Sequence, residues 1–316
     1  MTSLTKAIPI IILALLFAVG ACGNDRDVDD PETDPSALES GERDPAEAAV
    51  DPEQQTVRSA DGTRIGFARV GDGPVPVVIV HGALNTGEQW LPVATAMAAH
   101  CTCYVMDRWG RGASEARAEY SLEREIEDVV AVLEAAGPGA YLLGHSSGAI
   151  YALETALSAP VAGLVLYEPP LHGWAEAEPI HVRIQSAAEE ERYDEALSIF
   201  FGEILEVPEE ELSQLRTTPA WDAMVDLIPP TVREWEALRR DILEVDRYRD
   251  ISVATLLLEG TETADHHSSA TEALQGTLPD ARTVLLDGQG HDANLTAPEL
   301  VAREAAAFLL ESEGAR

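Results

Sequence analysis

Lysine is all but missing from this 316-residue chain: Lys6 is the only one, and every other basic residue is an arginine. The basic total of 21 faces 56 acidic residues, for a formal charge of -35. A field of that sign repels phosphate backbones and argues against nucleic-acid binding. It also disfavours anionic substrates against neutral or cationic ones, although salt screens much of the effect. Cysteine is scarce too, at three residues, and no Cys/His cluster has metal-ligand spacing. Cys101 and Cys103 share a face of an expected strand, but their alpha carbons lie near the upper limit for a relaxed disulfide. Buried free thiols are expected there. Internal repeats are absent. So is any apolar run long enough for a comfortable transmembrane helix, since Ile8 to Val19 is short and broken by Pro9. What the chain does have is 46% hydrophobic residues, enough for a sizeable core.

The N-terminus stands apart. Lys6 precedes the short apolar run, which reads as a signal peptide over residues 1–21. Val19-Gly20-Ala21-Cys22 resembles the lipobox of bacterial lipoproteins. That resemblance implies cleavage before Cys22 and lipid on its thiol, which anchors without spanning. The alternative is an ordinary secretory signal with Cys22 incidental. Residues 22–55 are expected to form a disordered tether, because Asp, Glu, Pro and Ser cannot bury enough surface to offset ordering entropy. From Asn24 to Gln55 there are twelve acidic and two basic residues, whose repulsion extends the chain. The expected location is therefore outside the cytoplasm, on the bacterial cell membrane.

Beyond the tether, strand and helix patterns alternate, predicting a mostly parallel sheet flanked by helices over residues 56–170 and 251–316. Val77-Val78-Ile79-Val80, Tyr104-Val105-Met106, Tyr141-Leu142-Leu143, Leu164 to Tyr167 and Thr255 to Leu258 are continuous apolar runs, as expected for strands buried on both faces. Ser121 opens a helix and Gly137-Pro138-Gly139 ends it. Residues 171–250 interrupt the pattern with helices alone, and hold Trp174, Trp221 and Trp235. They are expected to form a cap inserted between two sheet strands.

Gly144-His145-Ser146-Ser147-Gly148 matches G-x-S-x-G, a weak signal by itself. Its setting strengthens it: an apolar strand precedes it and a helix follows, with small residues where a strained strand-to-helix turn needs them. A serine needs a base. Gly288-Gln289-Gly290-His291 follows the last expected strand, with His266 and His267 as rivals of substance. His81-Gly82-Ala83 ends the strand Val77 to Val80, and Asp107-Arg108-Trp109-Gly110-Arg111-Gly112 has the form D-x-x-G-x-G. Together, in this order, these motifs resemble the α/β-hydrolase fold family over about Val57 to Leu310. The resemblance implies Ser146 as nucleophile, His291 as base, and an oxyanion hole built from the N–H groups of Ala83 and Ser147.

The third triad member departs from the family pattern. Most members place an aspartate near position 263, where this chain has Thr263 within Glu259-Gly260-Thr261-Glu262-Thr263-Ala264-Asp265. A second place used in the family follows the strand after the nucleophile helix, and there stands Tyr167-Glu168-Pro169-Pro170. Glu168 is the expected acid, with Asp265 and Glu262 as alternatives. The expected activity is hydrolysis of a neutral or cationic small-molecule ester through an acyl-enzyme, with no cofactor and no metal. The cap tryptophans and Phe200-Phe201 point to an apolar pocket. The rival readings are a cofactor-free haloperoxidase-like activity on the same triad and a catalytically silent surface-binding protein. A dehalogenase is disfavoured, because its displacement needs an aspartate nucleophile.

Overall fold

The computed structural model describes residues 51–117, 119–171, 174–205, 207–241 and 244–314. The expected signal peptide, Cys22 and nearly all of the expected tether lie outside the described residues. Eight strands form one sheet: β1 (Glu53–Arg58), β2 (Arg64–Val70), β3 (Val75–Val80), β4 (Cys101–Met106), β5 (Tyr141–His145), β6 (Leu164–Tyr167), β7 (Thr255–Gly260) and β8 (Ala281–Leu286). Their order is β1-β2-β4-β3-β5-β6-β7-β8. β2 runs antiparallel to both β1 and β4, and every other neighbouring pair is parallel. The tether boundary needs one correction. Glu53, Gln54 and Gln55, expected in the tether, pair with Arg69, Ala68 and Phe67 of β2. Ladder hydrogen bonds offset the ordering entropy that composition alone leaves unmatched.

The continuous apolar runs follow from burial on both faces. In β3, Val77 and Ile79 enter one core layer with Val93, Met97, Val301 and Phe308. Val78 and Val80 enter the opposite layer with Val129, Ile150 and Leu274. Alternating residues thus feed two cores, so no polar position remains in the strand. Helices α1 (Leu91–Met97) and α10 (Pro298–Gly314) cover the first face; α2 (Leu122–Ala136), α3 (Ser147–Ser158) and α9 (Asp265–Thr277) cover the second. Ser121 caps α2 by accepting from the Arg124 N–H, and Gly137 ends it at φ 92°. That positive φ is the conformation glycine adopts without strain. Cys101 and Cys103 are free and buried.

Between β6 and β7 the described chain is helical: α4 (Trp174–Glu189), α5 (Tyr193–Ile199) followed by a π turn at Phe200–Ile204, α6 (Glu209–Leu215), α7 (Pro219–Val225), α8 (Ile228–Asp241) and a 3-10 turn at Val245–Asp250. These elements build their own core from Ile184, Leu197, Phe201, Trp221, Ile228 and Trp235, joined by Leu84 from the loop after β3. The Trp221 indole N–H donates to Asp194 Oδ1 at 2.7 Å. Trp221 and Trp235 are buried in that cap core, at 2% and 7% exposure.

Candidate active site

Ser146 sits between β5 and α3 at φ 53° and ψ -127°, a strained conformation for any residue with a side chain. The strain is held by close packing. A Cβ on Gly148 would lie 2.1 Å from the Val80 carbonyl oxygen, and one on Gly144 would lie 2.5 Å from the Ala149 alpha carbon. Small residues are therefore required on both sides of the turn. The Ser146 N–H donates to the Tyr167 carbonyl at 2.9 Å, tying the turn to the end of β6. Gly82 packs so closely that a Cβ there would come 2.8 Å from Ser146 Cβ. The loop after β3 and the serine turn are thus in direct contact, with Ser147 opening α3.

Glu168 follows β6 with φ 48° and is fully buried. Its Oε1 accepts the Gly260 N–H at 2.8 Å. Its Oε2 accepts the Thr263 hydroxyl at 2.9 Å and lies 2.6 Å from His291 Nδ1. Three donors around one buried carboxylate supply the hydrogen bonds that burial removes. Asp265 and Glu262 are both exposed, Asp265 opening α9 and Glu262 in the turn before it. The structure brings Glu168 against His291 and leaves the two alternatives at the surface.

His291 lies in the loop after β8, held from several sides. The Tyr167 hydroxyl donates to the Gly290 carbonyl and accepts the Ala293 N–H at 3.1 Å. The His291 carbonyl lies 2.9 Å from His145 Nε2, so His145 carries a proton on that nitrogen. Burial, then the neighbouring His291, push His145 down to about 3, so it stays neutral. His291 itself is pushed down to about 4, by burial and then by His266. The carboxylate of Glu168 opposes that shift, since it favours the imidazolium. His267, expected as a rival base, is buried and stacks on His291 at 4.2 Å between centroids with an interplanar angle of 12°.

Glu168, His267 and His291 form a group whose donor atoms all lie within 4.8 Å of one another. The two rings are nearly parallel, so their in-plane lone pairs run alongside each other and do not converge on a shared ion. The geometry suits a stacked, oriented imidazole better than a metal centre.

Two contributors were missing from the sequence reading. Thr263 stands at the position where the family usually carries its acid, and its hydroxyl donates to Glu168. Arg108, within the D-x-x-G-x-G turn, is fully buried beneath the loop after β3. Asp107 in the same turn accepts the N–H groups of Gly87 and Ala113, each at 2.8 Å. A Cβ on Gly112 would lie 2.2 Å from its carboxyl, which explains that glycine.

A doubly flanked parallel sheet, a strained serine turn at the end of β5 and a histidine loop after β8 define a hydrolase of the α/β class. The chain belongs to the alpha/beta hydrolase family, whose family model matches residues 77–304. It is similar to a putative carbamate hydrolase, RutD, of Azorhizobium caulinodans, at 27% identity over 71% of this chain and 87% of that one. It is also similar to the (E)-2-((N-methylformamido)methylene)succinate hydrolase of Acinetobacter baylyi, at 23% identity over 81% of this chain and 97% of that protein. Among solved structures, an alpha/beta hydrolase from Sphaerobacter thermophilus is 33% identical with a TM-score of 0.71, covering 80% of this chain and 99% of that one. The esterase RhEst1 from Rhodococcus shares the fold at 22% identity and a TM-score of 0.62, over 81% and 98% of the two chains. The protein is an enzyme of hydrolase type.

Proposed function

We propose that this protein is a serine hydrolase that cleaves an ester-like bond of a neutral or cationic small molecule through an acyl-enzyme on Ser146. The contact that carries this reading is the 2.6 Å pairing of His291 Nδ1 with the buried Glu168. A proton on Nδ1 leaves Nε2 free to accept the serine proton, and the carboxylate stabilises the imidazolium that follows. Ser146 Oγ then bonds to the substrate carbonyl carbon, whose oxygen takes the negative charge and faces the N–H groups of Ala83 and Ser147. The imidazolium returns its proton to the leaving group as the bond to it breaks. Water adds by the same route and releases the acid. The similar proteins above include a putative carbamate hydrolase and an esterase, which supports a carboxyl-derivative substrate.

The same proposal places the enzyme outside the cytoplasm, held on the bacterial cell membrane by lipid on Cys22. The lipobox-like Val19-Gly20-Ala21-Cys22 supports that placement.

A fluorophosphonate probe tests the chemistry: the wild type should label and Ser146→Ala should not. An unlabelled wild type overturns the reading in favour of a silent binding protein. Halogenation that requires peroxide, without ester turnover, would favour the haloperoxidase-like alternative. The anchor is tested by growth with a clickable palmitate analogue. Label and membrane partition should both be lost in Cys22→Ser.

A further inference from the structure

Beneath the loop after β3 lies a fully buried ion cluster that the proposed mechanism does not use. Arg108 is its centre. Its Nε donates to Glu125 Oε1 at 2.6 Å, its Nη2 pairs with Glu234 Oε2 at 2.9 Å, and its plane covers the Tyr151 ring at 4.3 Å. Glu234 belongs to cap helix α8 and also pairs with Arg111 at 2.6 Å. Burial raises the Glu234 carboxyl, but Arg108 and Arg111 outweigh it and hold the group below its usual value, so it is charged.

The third nitrogen, Nη1, points the other way. It donates to the His81 carbonyl at 3.2 Å, to the Gly82 carbonyl at 3.3 Å and to Ser147 Oγ at 3.3 Å. The Gly82 carbonyl also accepts from His81 Nδ1 at 2.8 Å. The carbonyl of Gly82 and the N–H of Ala83 belong to one trans peptide unit and point in opposite directions. Donors fixed on the Gly82 oxygen therefore fix where the Ala83 N–H points, and they polarise that peptide towards a stronger donor. The contact with Ser147 reaches the residue that carries the second donor. The cap touches the same loop again, where Leu84, at φ 52°, gives its N–H to Thr231 Oγ1 at 3.4 Å.

We infer that Arg108 is a positioning residue for both oxyanion donors, and that Glu234 of the cap holds its guanidinium in place. The inference rests on the serine-hydrolase reading above. It makes the cap part of the catalytic apparatus, because the charge that orients the oxyanion hole is itself oriented from α8. Arg108 does not touch the reacting atoms; it acts through the Gly82–Ala83 peptide and Ser147.

The test uses Glu234→Gln, which keeps the shape of the side chain and removes its charge, and Arg108→Gln as the more severe variant. Each is compared with wild type for kcat and KM on a nitrophenyl ester. Each is also compared for inhibition by a trifluoromethyl ketone, whose serine adduct carries an oxyanion. Near-UV circular dichroism checks the fold. In Glu234→Gln, kcat should fall about tenfold or more with KM within about threefold, and the ketone should weaken by the same factor as kcat. A loss of fold alone would lower apparent kcat at unchanged KM and leave the ketone's inhibition constant as in wild type, so the ketone is what separates the two. Ketone inhibition unchanged in folded Glu234→Gln, with wild type active, overturns this inference alone. A wild type that neither turns over the ester nor binds the ketone overturns the serine-hydrolase reading and this inference with it.

Discussion

The Thr263 hydroxyl stands 2.9 Å from Glu168 Oε2, the same oxygen that lies 2.6 Å from His291 Nδ1. The side chain after β7, where the family usually carries an acid, and the imidazole after β8 therefore meet at one carboxylate oxygen of the residue after β6. Thr263 and Glu168 are 95 residues apart in the chain and adjacent at the ends of two paired parallel strands. In this enzyme β6 supplies the charge and β7 supplies a hydrogen bond to it.

That convergence makes the acid's position exchangeable. Glu168→Gln should lower kcat by about 10² to 10⁴, because it disturbs both the tautomer and the charge opposite His291. Asp265→Asn and Glu262→Gln should stay within about twofold, as solvent-screened carboxylates at the surface do. Adding Thr263→Asp to a Glu168→Ala background should restore at least a tenth of the lost rate, about a tenfold recovery or better. Ester turnover checks all four. An active Glu168→Gln enzyme would remove Glu168 from the triad.

Thr263→Val keeps the shape of the side chain and deletes its donor. One hydrogen bond to a charged, buried oxygen is worth about 1.5–3 kcal/mol. Only part of that should reach the transition state, so kcat should drop about threefold to thirtyfold with little change in KM. Steady-state kinetics on the ester decide it, and an unaltered kcat would mean that Gly260 holds Glu168 without help.

Acid pH should be tolerated further than an ordinary histidine allows. The base must be neutral, and burial with His266 pushes His291 down to about 4. The neutral form thus persists as pH falls through 6.5, and kcat/KM should decline only as pH drops towards that lower value. Removing the opposing carboxylate in Glu168→Gln should move the acid limb lower still. A wild-type limb centred at or above 6.5 in the pH–rate profile contradicts the assignment.

Stability should fall on the acid side for a related reason. His145 is pushed down to about 3, and His81 and His267 well below 6.5, each first by burial. As pH falls below 6.5 the unfolded chain takes up protons at these positions and the folded chain does not, so unfolding is favoured through that window. Asp128, raised to about 6 chiefly by burial, works in the opposite sense at the lower pH end. Thermal melts from pH 7 to pH 4 should show a shallower decline in His145→Gln than in wild type. A parallel decline would mean that His145 is already protonated in the folded protein.

Gly148→Ala should disrupt the serine turn. The added methyl would stand 2.1 Å from the Val80 carbonyl oxygen and 2.6 Å from that of His81, both backbone atoms of a buried strand end. Overpacking of this kind costs about 1–3 kcal/mol or more, which is several degrees of melting temperature for a domain of this size. A melting temperature equal to wild type, by differential scanning calorimetry, would show that β3 yields.

Much of the sheet was legible because burial on both faces erases the alternation of polar and apolar residues. Val77 to Val80 and Tyr141 to Leu143 read directly as interior strands, and the glycines around Ser146 read as a crowded turn. Local chemistry could place those elements because each depends on neighbours within a few residues. The start of β1 was not legible. Glu53, Gln54 and Gln55 are polar and exposed or half-exposed, and they are strand only because β2 offers them a ladder. The packing of Trp221 and Trp235 in a separate cap core was not legible either, because aromatic content does not say which way a ring faces.

By itself, the sequence determined the order of strands and helices, the serine turn, the histidine loop and the candidates for the acid, since each is written in spacing, small residues and apolar runs. Tertiary structure decided which carboxylate meets His291, because that depends on how β6 and β7 lie side by side and which group the core strips of water. It also decided what Arg108 does. A buried guanidinium takes its role from the carboxylates and carbonyls that surround it, and those come from three separate parts of the chain.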